Sequence, residues 1–156
     1  MTEPDSPIQY LYEQFKMEGG FSTKKLQTLG FLLCKSRNAN MYMFELYDSD
    51  NMGELDGKQL NELLECTFYI AGLYLPEYAC RCVPSEELSK YIGKLAKNIE
   101  AAAKIGVAKL LEGNLTVSRD KFRCLMIDYD FLNSTYAARD LILKSHSEPG
   151  TVVTRQ

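Results

Sequence analysis

The sequence predicts an all-α protein with helix–loop–helix units. Residues 86–111 place Ile92, Leu95 and Ile99 on one face at helical spacing. A second helical segment follows Gly57, and no alternation of apolar and polar residues is long enough to predict a large sheet. With 156 residues, 46% of them hydrophobic, the chain can form one domain or two small lobes around a packed core.

Composition argues against several classes of function. The net charge of −3 is too small to indicate a nucleic-acid or membrane partner, and no apolar stretch reaches the roughly 20 residues that cross a bilayer. The acidic start lacks the features of a signal peptide, and an odd number of cysteines, five, argues against a disulfide framework. No nucleophile–base pair and no phosphate-binding glycine loop can be recognised. We therefore expect a cytoplasmic protein that is not an enzyme.

Two helix boundaries can be predicted from local signals. Ser85 can cap the helix at 86–111, because its side chain can accept a hydrogen bond from the first turn and two acids follow it. The helix that begins after Gly57 is expected to end at Pro76, because proline lacks the backbone N–H that a helix interior requires.

Apolar residues around residues 48–59 follow a helix–loop–helix plan. Phe44 and Tyr47 lie on the incoming helix, Leu55 lies inside the loop, and leucines follow on the outgoing helix. The same skeleton occurs twice more, and one constant shift along the chain relates these two further sets. They are Phe15, Phe21, Leu26, Leu29 and Leu33, and Leu111, Val117, Phe122, Leu125 and Tyr129.

The stretch MFELYDSDNMGELDGKQLNELL (43–64) resembles the EF-hand superfamily, and the layout is similar to that of calaxin and the neuronal calcium sensors. The resemblance implies paired helix–loop–helix units whose loops share a short β-bridge. It also implies a subunit of a cytoskeletal, motor or ciliary assembly, a context that comes from the resemblance alone.

The resemblance leads to a division into two parts. Residues 1–78 form a lobe whose loops, about 16–25 and 48–59, are expected to pair through a bridge between Phe21 and Leu55. Residues 79–145 hold the long helix and a third degenerate unit with its loop at about 110–121. The third unit would then lack a mate, unless the long helix, another copy or a different protein completes it. Residues 146–156 are expected to be a flexible tail.

The central loop matches only part of a calcium-binding pattern. Met52 offers a soft thioether where a hard cation prefers oxygen, and glutamine replaces the bidentate glutamate of the last position. We expect no required cofactor, with calcium bound at about 10⁻⁴ M or more weakly. Packing and hydrogen bonds are expected to hold the loop instead. The candidate metal ligands are Asp48, Asp50, Glu54 through its carbonyl, Asp56 and Gln59.

These features predict a non-enzymatic adaptor that binds an amphipathic helix of a protein partner, largely without calcium. The segment TFYIAGLYLPEY (67–78) is apolar on nearly all sides, so it is either buried all round or in contact with a partner. Two alternatives stay open: a calcium sensor or buffer that uses the central loop, and a helical domain unrelated to EF-hands. The candidate partner-binding residues are Phe68, Tyr69, Leu73, Tyr74, Leu75 and Tyr78.

Overall fold

A computed structural model describes residues 6–17, 20–33, 39–129 and 135–145. Helices make up most of these residues, which confirms the predicted helical class, and the predicted tail at 146–156 lies outside them. The helices are α1 (Pro7–Phe15), α2 (Thr23–Leu33), α3 (Ala39–Tyr47), α4 (Gly57–Tyr69), α5 (Leu75–Cys82), α6 (Glu86–Leu111), α7 (Arg119–Asp128) and α8 (Thr135–Ser145), with a π-helical turn (Ile70–Tyr74) between α4 and α5.

Four short strands form two antiparallel pairs within the described residues. Strands β1 (Lys16–Met17) and β2 (Gly20–Phe21) close a hairpin between α1 and α2. Strands β3 (Glu54–Asp56) and β4 (Thr116–Ser118) join two loops that are far apart in the chain. All four strands are only two or three residues long. The pairing of β3 with β4 nevertheless determines which helices meet.

The predicted bridge between Phe21 and Leu55 is wrong. Phe21 pairs with Lys16 in its own hairpin, and Leu55 pairs with Val117. The turn after α1 is short enough to fold back on itself, so its backbone groups are used locally. The loop before α7, at 110–121, is therefore the mate of the central loop, and the segment from α1 to α2 is the one without a mate among the described residues.

The long helix α6 covers the predicted residues 86–111 and begins at its predicted cap. The Ser85 side chain accepts a hydrogen bond from the Leu88 N–H at 3.1 Å, which satisfies one of the free donors of the first turn. At the other end, Glu112 (φ 51°) and Gly113 (φ 84°) adopt left-handed backbone conformations that stop the helix.

The prediction that the helix after Gly57 ends at Pro76 is also wrong. The chain passes from α4 through the π-helical turn into α5, and the Leu75 N–H donates to the Ile70 carbonyl five residues earlier. The wider turn alters the backbone just before Pro76, which lies in the first turn of α5 and has no backbone N–H to donate. The carbonyl of Ala71, five residues before Pro76, accepts a hydrogen bond from Arg139 instead. The helical path can therefore continue through a proline.

The C-terminal helix α8 is fitted to the π-helical turn. Nη1 of Arg139 donates a hydrogen bond of 3.2 Å to the carbonyl oxygen of Ala71. Gly72 faces Ile142, and a Cβ at residue 72 would lie only 2.9 Å from Cδ1 of that isoleucine. The absence of a side chain at Gly72 therefore allows α8 to approach closely.

One large apolar core joins α3, α4, α6, α7 and α8, so both predicted parts, 1–78 and 79–145, contribute to it. The rings of Phe44 and Phe122 lie 5.2 Å apart across it, and Leu55 and Leu95 are completely buried. A smaller cluster lies under α1 and α2, and its buried members are Phe15, Leu32, Met43 and Ile70. The smaller cluster therefore covers one face of α1 and one face of α2.

Candidate interaction site

The central loop is held closed by Asp48. Oδ1 of Asp48 accepts a hydrogen bond from the Met52 N–H at 3.0 Å, and Oδ2 accepts one from the Gly53 N–H at 2.8 Å. The carboxylate is nearly buried, with 9% exposure, so these charge-assisted bonds are shielded from water. Asn51 (φ 57°) and Gly53 (φ 80°) supply the left-handed backbone that the turn requires.

The end of the loop forms a capping box at the start of α4. Oδ1 of Asp56 accepts from the Gln59 N–H at 2.8 Å, and Oε1 of Gln59 accepts from the Asp56 N–H at 3.0 Å. The backbone N–H groups of Asp56 and Gln59 therefore each find an acceptor in the side chain of the other residue. Both side chains are among the metal ligands that the sequence predicts.

Several of the candidate calcium ligands already have hydrogen-bond partners within the loop. Side-chain oxygens of Asp48, Asp56 and Gln59 already accept backbone hydrogen bonds, while Asp50 and Glu54 are exposed. Among the described residues, no group of three His, Cys, Asp or Glu side chains is placed to hold a metal ion. Hydrogen bonds account for the shape of this loop without a bound cation.

The predicted partner-binding segment is mostly occupied by internal packing. Phe68 is completely buried in the large core, and Leu73 packs against the same core. Tyr74 and Leu75 pack against the smaller cluster. This corrects the expectation for Phe68, which a partner could reach only if the core repacked. Tyr78 is half-buried in α5.

Tyr69 and Tyr74 line a cleft of about 280 Å³ between α2 and α4, and their rings stack with centroids 6.0 Å apart. The hydroxyl of Tyr69 donates to Oε2 of Glu100 at 3.0 Å, and burial together with this bond raises the pKa of Tyr69 to about 12. Lys24 closes one side of the cleft, with Nζ 3.4 Å from Glu62 and 4.9 Å from the ring centre of Tyr47.

A buried polar contact lies next to this cleft. The hydroxyl groups of Thr28 and Tyr47 are 2.8 Å apart. Burial raises the pKa of Tyr47 above its ordinary value and raises the pKa of the Cys66 thiol as well. Both groups therefore stay neutral at physiological pH, and Cys66 lacks the thiolate character of a reactive cysteine.

An almost wholly apolar surface depression lies between α1 and α2, with a volume of about 240 Å³. Ile8, Tyr12 and Leu26 stand at its rim with 54%, 46% and 40% of their surfaces exposed. Phe15 is buried at its base and makes an edge-to-face contact with Tyr74, at a ring-centroid distance of 6.1 Å. We call this depression the α1–α2 groove. Its lining residues are Ile8, Leu11, Tyr12, Phe15, Leu26 and Leu29.

The sequence contained a signal for this groove. Ile8, Leu11, Tyr12 and Phe15 recur at the i, i+3, i+4, i+7 spacing of a helix with one apolar face. The pattern predicts that face but does not say whether the protein covers it, and aromatic residues at such spacing usually belong to a core. The structure covers Phe15 and leaves Ile8 and Tyr12 about half exposed.

Comparisons of the chain with protein-family models, with curated proteins and with solved structures found no match. In the described part of the chain, no helix combines the length and the apolar character that are needed to span a bilayer.

Proposed function

We propose that this protein is a non-enzymatic, EF-hand-like adaptor that binds an amphipathic helix of a protein partner in the α1–α2 groove. The observation that carries this proposal is the groove itself, with six apolar side chains and an exposed rim. Exposed apolar surface of this kind marks interaction sites, and a groove between helices can accept one face of another helix.

The EF-hand-like part of the proposal rests on the paired loops. Two helix–loop–helix segments, α3 to α4 and α6 to α7, meet through the antiparallel pairing of Leu55 with Val117. In each segment the apolar anchor of the loop is buried, and a helix follows the strand directly. This arrangement supports the relationship that the central sequence motif suggested.

Independence from calcium is supported by the loop contacts. The Asp48 carboxylate is satisfied by two backbone N–H groups, and Asp56 and Gln59 satisfy each other. A loop that is already closed has little to gain from a cation. The location in the cytoplasm belongs to the proposal through the composition of the chain, and the cytoskeletal or ciliary assembly belongs to it through the family resemblance alone.

A displayed library of helical peptides tests the function even when the natural partner is not identified. Selection on the wild-type protein should yield peptides with apolar residues at i, i+3 or i+4, and i+7. Leu26→Glu places a charge at the groove rim and should weaken their binding by about tenfold or more, since burial of an unpaired charge is costly.

The matched control is Leu115→Glu. Leu115 is 88% exposed in the loop before β4 and does not line the groove. Selected peptides should bind this variant as they bind the wild type. Peptides that bind Leu26→Glu and the wild type equally well would contradict the proposed site, and a library that yields no binder would contradict the function.

A further inference from the structure

We propose that the occupant of the α1–α2 groove is a second copy of this chain, whose α1 stripe docks in an isologous dimer. The inference rests on the proposed function, because it assumes that the groove accepts a helix, and it names which helix. Three features of the described residues support it: a stripe of the required spacing, a lining without charge, and a helix–loop–helix segment without a mate.

One wall of the groove is itself a helix face of the kind that such grooves recognise. Helix-in-groove recognition uses anchors at i, i+3, i+4 and i+7. Ile8, Leu11, Tyr12 and Phe15 have this spacing; Phe15 is buried at the base of the groove, while Ile8 and Tyr12 project from its rim. A surface that has both the projecting side chains and the depression can pair with itself around a two-fold axis.

Charge also favours a second copy over a charged partner helix. None of the six side chains that line the groove is charged. The charged residues of the same two helices are directed elsewhere: Glu13 accepts a hydrogen bond from Gln9, Lys24 pairs with Glu62 of α4, and Lys25 lines the cleft between α2 and α4. An isologous interface brings the same patch of both copies together, so a face without charge avoids the repulsion between like charges that would oppose self-association.

The segment from α1 to α2 is the helix–loop–helix segment whose loop has no partner loop among the described residues. The segments from α3 to α4 and from α6 to α7 complete each other through β3 and β4. The segment from α1 to α2 closes its turn as the β1–β2 hairpin and turns its apolar groove outward. Two copies would supply each other with the mate that the other two segments already have.

Sedimentation equilibrium of the full chain across the micromolar range tests the dimer. The average mass should rise with concentration toward twice the chain mass of 17.7 kDa. Ile8→Glu and Leu26→Glu should each weaken self-association by about tenfold or more. Val83→Glu and Leu115→Glu, at positions 72% and 88% exposed outside the groove, should leave it unchanged.

Circular dichroism should show that each variant keeps the helix content of the wild type, and Ile8→Gln provides a milder change if Ile8→Glu fails to fold. A synthetic peptide of residues 6–17 should bind the groove and reduce the dimer fraction. Because this peptide carries the apolar stripe of α1, it also tests directly whether the groove binds a helix.

The possible outcomes separate this inference from the proposed function. A chain that stays monomeric while library-selected peptides bind the groove overturns the dimer and leaves the adaptor function intact. A dimer that persists in both Ile8→Glu and Leu26→Glu also overturns the inference, because association then uses another face. A monomer whose groove binds no helical peptide overturns both.

Discussion

Leu55 lies directly opposite Val117 in the β3–β4 pair, and both side chains are buried, with exposures of 0% and 2%. This cross-strand contact links the loop before α4 to the loop before α7 and sits in the large core. Two distant parts of the chain therefore depend on one apolar pair.

Leu55→Ala should lower the free energy of unfolding by about 2–5 kcal/mol, because it removes buried apolar surface and leaves a cavity. Leu115→Ala, at an 88% exposed position, should change it by less than about 0.5 kcal/mol. Urea denaturation measures both. A double-mutant cycle with Val117→Ala should show a coupling of about 0.5 kcal/mol or more, and strict additivity would show that the pair is not energetically linked.

Asp48→Ala tests whether the Asp48 carboxylate holds the central loop closed. It removes two charge-assisted hydrogen bonds to the N–H groups of Met52 and Gly53, so the free energy of unfolding should fall by about 2 kcal/mol or more. Calcium at about 10 μM, well below the dissociation constant that the loop sequence predicts, should leave the melting temperature of the wild type unchanged. A calcium-dependent rise in melting temperature that disappears in Asp48→Ala would favour the calcium sensor or buffer instead.

Gly72→Ala tests the fit between α8 and the π-helical turn. The new Cβ would lie 2.9 Å from Cδ1 of Ile142, so the substitution should cost about 1–3 kcal/mol through overpacking. Ile142→Val removes the Cδ1 methyl group, so the double variant Gly72→Ala/Ile142→Val should recover part of the stability that Gly72→Ala loses. Gly93→Ala, where an added Cβ meets no atom within 4 Å, is the control in a helix interior and should be neutral or stabilising.

Stability should fall at alkaline pH partly because of Tyr47. Its folded-state pKa is raised above the ordinary value of 10.0 by burial, so its contribution is fully present below pH 10 and is lost as pH rises through the folded pKa. Tyr47→Phe should be less stable at neutral pH by about 1 kcal/mol, because it loses the contact with Thr28, yet its stability should fall less steeply above pH 10.

Urea denaturation between pH 8 and pH 11.5 measures this difference in slope. Tyr42→Phe, the same substitution at a position that is 46% exposed, is the matched control. Equal slopes for Tyr47→Phe and the wild type would show that the buried phenol is not coupled to folding. The neighbouring Tyr69, whose pKa is raised to about 12, remains in both proteins and contributes equally to both curves.

Features that depend on a few neighbouring residues could be predicted from the sequence. Ser85 caps α6 as its position indicates, and Leu55 is buried as the helix–loop–helix spacing indicates. Hydrogen bonds of the Asp48 carboxylate close the central loop, as expected for an aspartate before a turn with glycine. For the two hydrogen-bonded features the cause is local, since the donor, the acceptor and the turn lie within a few residues of one another.

The partner of the central loop depended on tertiary structure. Phe21 and Val117 are both apolar anchors in short loops, so their local sequences favour either pairing with Leu55 equally. Packing of α3, α4, α6 and α7 around one core brings Val117 to that strand, and the hairpin uses the backbone groups of Phe21. Likewise, the apolar stripe of α1 predicts a helix with one apolar face, but only the positions of α2 and α5 decide that Phe15 is covered while Ile8 stays exposed. An amphipathic pattern specifies which side chains avoid water, and the surrounding elements determine how much of that face the chain itself can cover.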